Sequence, residues 1–281
     1  VAGFAAADSL AVGFAGFLVA VTAAHTTPAT AYELSVYAST PLVFWLGSGL
    51  ALLTALVVAM TTGSRPLKVT ALLLAAVAGT AIAGLPILRG DHFYGAADSL
   101  SHLGLAKGFL AGETSPVNLL YPGVHLDAIF LAQTSGTGLE HAFMLVVLTF
   151  FVAYFVFVPL LVYAIVRDDD ALVIGLFSAL LLLPINNVSV FPLTHPTTQT
   201  ILFLPVVLYL VVNYLLHPTP ESRRWHSVTP TGVLLAVALA GVLLMHPQQA
   251  INVALVLLTI AVLGTVVPWV WRNHAFSYHR P

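Results

Sequence analysis

The chain has 281 residues, of which only 7% are charged and 59% hydrophobic, with a mean hydropathy of +0.98. A soluble domain carries about 25% charged residues, so this composition excludes an ordinary soluble globule and points to a polytopic membrane protein. Cysteine is absent, which removes disulfide and thiol chemistry. No basic cluster exceeds Arg223-Arg224, which argues against nucleic-acid binding.

A bilayer-spanning helix needs ~20 mostly apolar residues. Eight stretches qualify, at roughly 8–24, 42–62, 68–88, 141–166, 171–190, 199–216, 230–246 and 250–271. The expected fold is therefore all-α: one transmembrane helix bundle over residues 1–281, with about eight spans. Alternation of eight spans puts Arg65, Lys68, Arg167, Arg223, Arg224, Arg272 and Arg280 on one side and only Arg89 and Lys107 on the other. The basic side is cytoplasmic by the positive-inside rule, which places both termini in the cytoplasm and the chain in the cell membrane as a multi-pass protein. Lysine is scarce while Ala and Val are abundant, a usage that fits a GC-rich genome such as that of a halophilic archaeon.

While Asp168-Asp169-Asp170 falls on the inner side, the opposite, outer side collects Glu33, Asp91, Asp98, Glu113, Asp127 and Glu140 with seven histidines. It includes a long connection, residues 89–136, between the third and fourth spans. Long connections of this kind are usually functional or disordered, and this one alternates apolar and polar residues. Leu100, Leu103, Ala106 and Leu110 recur at helical spacing, which predicts an amphipathic helix lying on the membrane surface. "AGETSPVN" ends it with turn residues, and a second short helix is expected after Pro122, carrying His125 and Asp127.

Within "DHFYGAADSLSHLG", Asp98 and His102 stand four residues apart and share one helix face. Such a pair serves a general base, a His held in one tautomer, or two ligands for a divalent metal such as Mg or Mn. It also fits a solvated surface pair or a helix-capping Asp. Asp91 follows Gly90 at the end of a span, as an interface cap or as a carboxylate at the mouth of a cavity. "LLYPGVHLDA" adds Tyr121 and His125. Two His-Pro pairs, His195-Pro196 and His246-Pro247, fall at outer helix ends. Proline explains each break but not the histidines, which suggest one shared polar pocket with the acidic loop. Thr197, Thr198, Gln199, Gln248 and Gln249 would add neutral hydrogen bonds of the kind sugar hydroxyls require. Glu33 sits between Tyr32 and Tyr37 on the first outer loop, where aromatics anchor at the interface. Asn187 heads a glycosylation sequon.

The run from Asp98 through His102-Leu103-Gly104, Ala106 to Gly112, and Tyr121-Pro122 with His125 resembles the first large outer loop of the GT-C superfamily. These are multispanning glycosyltransferases that use polyprenyl-phosphate-linked sugars, with protein O-mannosyltransferases and aminoarabinose transferases the nearest comparison. The likeness covers about forty residues. The loop follows the third span rather than the first, Ser99 follows the acid where a second acid is common, and eight spans is fewer than usual. The soluble outer domain that is expected to follow is also absent from the sequence, and a missing C-terminal part would account for these last two departures; a membrane protein partner is the other expectation. The resemblance implies transfer of a sugar from a polyprenyl-phosphate lipid to an acceptor at the outer face. It implies Asp98 as base with Asp91 as runner-up, and His102 as its orienter or as a metal ligand beside Asp98. Arg89 or Lys107 would meet the phosphate, and Tyr121, His125, His195, His246 and Gln248 would line the substrate pocket. Two other classes remain open: a lipid or small-molecule transporter or flippase, which would need a polar path across the bilayer, and a non-catalytic membrane subunit, for which the small residues of "GFAGF" and "AAVAGTAIAG" would pack helices closely.

Overall fold

The computed structural model describes residues 2–30, 33, 35–182, 193–216 and 228–274. The sequon at Asn187, the basic loop with Arg223 and Arg224, Tyr32 and Arg280 lie outside the described residues. All regular structure among the described residues is helical. The helices are α1 (Ala2–His25), α2 (Val36–Ser39), α3 (Leu42–Thr61), α4 (Arg65–Ala83), α5 (Leu85–Leu88), α6 (Asp98–Leu110), α7 (Gly123–Ser135), α8 (Leu139–Val166), α9 (Asp169–Leu182), α10 (Pro196–Leu216), α11 (Pro230–Met245) and α12 (Pro247–His274), with a 3-10 turn at Pro116–Asn118 before α7.

Among the described residues, α1, α3, α4, α8, α10 and α12 are long and apolar enough to cross a membrane. The described part of α9 has 14 residues and α11 has 16. At 1.5 Å per residue, α11 reaches about 24 Å, short of the ~30 Å hydrocarbon core. The third expected span, 68–88, is interrupted. Helix α4 ends at Ala83, Gly84 leaves helical geometry, and Pro86 opens the short α5. Proline has no N–H to give the preceding turn, so the helix restarts rather than continues.

Proline also marks where helices begin. Pro196, Pro230 and Pro247 each take the first helical position, where the missing N–H is one of the orphan donors anyway. Thr229 caps α11 by accepting from the Gly232 N–H at 3.1 Å. At the other polarity, Gly136 ends α7 with φ of +71°, the left-handed cap that a Cβ disfavours.

Helix α1 packs along α3 and touches α4, α8 packs with α9 and α10, α4 joins the two groups through α8, and α11 and α12 follow on α10. The main core lies where these groups meet, around Leu74, Phe151, Phe155, Val173, Leu176 and Leu202. A second core, of Leu103, Ala106, Val124, Ala128, Phe143, Val146 and Met245, seats α6 and α7 on the start of α8 and the end of α11. Only part of the predicted stripe on α6 is used for this. Leu103 and Ala106 are buried, whereas Leu100 and Leu110 are exposed.

The small residues of α1 let it approach α3 backbone to backbone. A Cβ on Gly47 would collide with the Gly16 carbonyl and stand 2.9 Å from the Ala20 Cβ, while one on Gly49 would meet nothing. Neither backbone can yield without parting the helices, and overpacking of this kind costs typically 1–3 kcal/mol. Gly47→Val is therefore expected to lower the thermal midpoint in detergent, and Gly49→Val to leave it unchanged. Equal midpoints for the two variants would contradict this packing.

Candidate functional site

At the end of the bundle where α4 finishes and α8 begins, four separate stretches of chain meet. They are the first turn of α6, the residues before α7, the residues entering α10, and the α11–α12 junction. Together they enclose a cavity of about 130 Å³ lined by Asp98, His102, Tyr121, His195, Pro196, Thr197 and His246. The spacing of the two His-Pro pairs explains the meeting. Each proline starts a new helix, so each histidine sits at a helix end, on the same side as the acidic loop.

Asp98 opens α6, where the helix dipole favours a negative charge. The residue before it, Ala97, holds φ of +49°, a strained backbone for a residue with a Cβ. No hydrogen bond to the Asp98 carboxylate occurs among the described residues. His102 follows one turn later. Its Nδ1 lies 3.0 Å from Nε2 of His125, so the two rings share one proton across a hydrogen bond. The Tyr121 ring is 6.4 Å from His102 and 5.5 Å from His246, centroid to centroid, and so forms a wall between them.

His125 lies behind this surface. It is fully buried on α7, wedged between the rings of Phe109 at 5.8 Å and Phe143 at 6.3 Å. Burial, with a smaller effect of the neighbouring His102, pushes its imidazole down to about 4. Burial also lowers His102, assisted by His195, while Asp98 works the other way. Two residues that line the cavity keep a buried ring nitrogen without a partner, His195 Nε2 and His246 Nδ1, and Thr194 Oγ1 and Gln199 Oε1, close to His195 in the chain, are likewise buried without one. Buried polar groups are normally paired, so this cluster has unmet hydrogen-bonding capacity.

The remaining predicted residues stand elsewhere. Arg89 is 2% exposed and is consumed by structure. Its Nη atoms make a bidentate pair with Glu33, and its Nε donates to the Thr27 carbonyl at 3.0 Å. The hydrogen bond from Arg89 holds the Glu33 carboxyl below the usual carboxylate range. Asp91 belongs to this group rather than to the cavity. Its Oδ2 is buried without a partner, and desolvation, with Glu33 adding to it, raises its pKa. Lys107 pairs with Glu140 at 2.7 Å. Gln248 is exposed on the first turn of α12 and does not line the cavity. No Lys or Arg is among the lining residues. Asp98 and His102 supply two donors of the type Mg or Mn accepts, but among the described residues no group of three His, Asp or Glu is placed to hold a metal ion. The His102–His125 bond escapes sequence reasoning, because 23 residues separate the partners and only the packing of α6 against α7 joins them.

Among known proteins, no family model, curated protein or solved structure matches the chain.

The depressed His125 gives stability a defined pH dependence. An unfolded His binds a proton below about 6.5, whereas folded His125 stays neutral until about 4. Between these values the unfolded state holds more protons, so stability falls as pH falls, by on the order of 3 kcal/mol across the window. Melting temperatures of the wild type at pH 7.5 and 5.0 should differ accordingly, and the difference should shrink in His125→Phe. An undiminished difference in that variant would assign the pH response to another group.

Proposed function

We propose that the chain is a membrane glycosyltransferase, of the kind its loop resembles, that moves a sugar from a polyprenyl-phosphate donor to an acceptor at the outer face of the cell membrane. The observation that carries this is the convergence of Asp98, His102, Tyr121, His195 and His246, from four stretches of chain, on one polar cavity in an otherwise apolar bundle. Its volume of about 130 Å³ is below the ~300–1,000 Å³ of ordinary ligand pockets. It suits a single small polar moiety, with the lipid outside it. Leu120, 76% exposed, immediately precedes Tyr121, and Val117, 91% exposed, stands four residues before it. This apolar ledge beside the rim gives a polyprenyl chain a place to lie.

In the proposed reaction, the Asp98 carboxylate takes the proton of the acceptor hydroxyl as that oxygen attacks the anomeric carbon. The bond to the phosphate oxygen breaks with its electron pair, through an oxocarbenium-like transition state. The departing phosphate needs positive charge or hydrogen-bond donors. Arg89 and Lys107 are committed to Glu33 and Glu140, so the role passes to the His195 and His246 imidazoles, which line the cavity and each keep one buried ring nitrogen without a partner. A divalent cation held by Asp98 and His102 would supply charge of the same sign, and chelation in the assay separates the two sources.

The distribution of buried polar side chains favours this over transport. Among the described residues, Thr40, Arg89, Ser99, His125, Thr194, Thr198, Gln199 and Thr200 lie near the cavity end, Thr229, a helix cap, stands at the other, and Ser48 is buried within the span α3. A transporter predicts a polar path through the middle of the spans. For orientation, Arg65 at the start of α4, Lys68 paired with Asp170 at 2.8 Å, and Arg167 at the end of α8 mark the far end as the basic one. The positive-inside rule makes that end cytoplasmic and the cavity end outer, with eight passes if α9 and α11 also cross.

Transfer from a radiolabelled polyprenyl-phosphate sugar by reconstituted protein tests this. Asp98→Asn is expected to lose ~10²–10⁴-fold in rate, the usual contribution of a positioned base, while keeping its melting temperature. Full activity in that variant would remove Asp98 from the role of base.

A further inference from the structure

Helix α12 is the least enclosed of the six spans. Only 6% of its spanning stretch is buried, against 22% to 44% for the other five. Ala250, Val253 and Leu257 turn toward the bundle, where they join a core of α10 and α11 residues. Gln248, Asn252, Leu255 and Thr259, spaced by four, three and four residues, share a different face, and all four are exposed. Leucine suits lipid there, and Thr259 satisfies its hydroxyl within the helix by donating to the Leu255 carbonyl at 2.8 Å. Asn252 has no such outlet. Its Nδ2 donates to Gln249 Oε1 at 3.1 Å, which leaves its Oδ1, its second N–H and the N–H groups of Gln249 without partners among the described residues. The other carboxamides of the described spans are inward or bonded. On α10, Gln199 is fully buried and Asn213 donates to the Tyr209 carbonyl at 2.8 Å.

The sequence puts this carboxamide pair at membrane depth. Trp269, Trp271 and Arg272, near the far end of α12, are residue types that settle at the interface. The ~20 residues that cross the hydrocarbon core then reach back from Trp269 to about Gln249. A carboxamide facing lipid costs free energy until it finds a hydrogen-bonding partner, and in a bilayer a neighbouring helix is the usual source. We infer that this face of α12 docks a second copy of the chain, with Asn252 and Gln249 hydrogen-bonded across a two-fold axis. Copies inserted in the same sense are related by an axis along the membrane normal, so α12 meets α12 in parallel, and residues near the axis meet themselves at the same depth. A carboxamide both donates and accepts, so it is complementary to itself, as a carboxylate or an ammonium is not. Leu255 and Thr259 extend the contact deeper into the membrane. None of these residues lines the cavity, so the inference stands apart from the proposed transfer reaction.

The chain has no cysteine, so single cysteines report this interface without background. In liposomes that hold the full chain alone, Leu255→Cys and Thr259→Cys are expected to form disulfide-linked dimers under mild oxidation. Ile260→Cys, exposed but turned about 100° round the helix from Thr259, should stay monomeric. Energy transfer between copies labelled at their termini, followed as lipid is added, reads the dissociation constant within the membrane. Asn252→Leu should raise that constant by ~3–30-fold, the range for a side-chain hydrogen bond between helices in a bilayer. Asn252→Gln, which keeps the carboxamide, should stay close to the wild type. Because Asn252 is exposed, neither change disturbs the core, and unchanged melting temperatures would verify this. Absence of crosslinking at both Leu255 and Thr259 overturns the inference. So does equal crosslinking at Leu255, Thr259 and Ile260, which marks random collision, or a dissociation constant unaltered in Asn252→Leu. No substrate enters these measurements, so absence of sugar transfer would count against the proposed function and leave the dimer intact.

Discussion

A bilayer offers no hydrogen bonds, so every polar group within it must find its partner inside the protein. This constraint organises the molecule. The long helices satisfy their own backbones and carry almost wholly apolar side chains, and the polar residues are driven to the connections at the helix ends. One end takes basic side chains and the Lys68–Asp170 pair. The other takes His102, His195, His246 and Tyr121 with Asp91, Asp98 and Glu140. The cavity between α6, α7, α10 and the α11–α12 junction is thus what remains when an apolar bundle must place its chemistry at one rim.

Two devices hold that rim in place. The first is the Arg89–Glu33 pair, which ties the end of α5 to the connection between α1 and α3 through two guanidinium hydrogen bonds and a third to the Thr27 carbonyl. Arginine suits this task because its planar fork meets a carboxylate in two places at once. The second is the seating of α6 and α7 on Phe143 and Val146 of α8. This buries His125 against aromatic rings and leaves His102 at the surface of the cavity. The ordering of the imidazoles therefore follows from apolar packing beneath them. The same burial that lowers His125 also fixes its ring, since a buried ring with one strong hydrogen bond has few alternatives.

Much of this was legible in the sequence, and the limits have physical reasons. The apolar runs announced the long helices, because length and composition alone decide whether a segment can span. Asp98 and His102 were legible as a pair because four residues make one helical turn. The His-Pro dipeptides announced helix ends, and those ends bring His195 and His246 to the cavity. Arg89 was not legible as structure. Its charge suggested a phosphate, and nothing local shows that Glu33, 56 residues away, consumes it. Lys107 fails for the same reason, since Glu140 lies on another helix. Pro86 was hidden inside an apolar run long enough to read as one helix. The partnership of His102 with His125 depends on how two helices fold back on each other, which no spacing encodes.

The central claim is that this cavity, and no other surface, receives a polyprenyl-phosphate sugar. It is tested most directly by a photoreactive polyprenyl-phosphate sugar carrying its diazirine on the sugar ring, crosslinked to the protein in liposomes and mapped by peptide mass spectrometry. The account predicts label on the peptides holding Asp98 to His102, Tyr121, and His195 or His246, displaced by excess unmodified donor. Label confined to the exposed apolar face of α12, or label that unmodified donor does not displace, would contradict it.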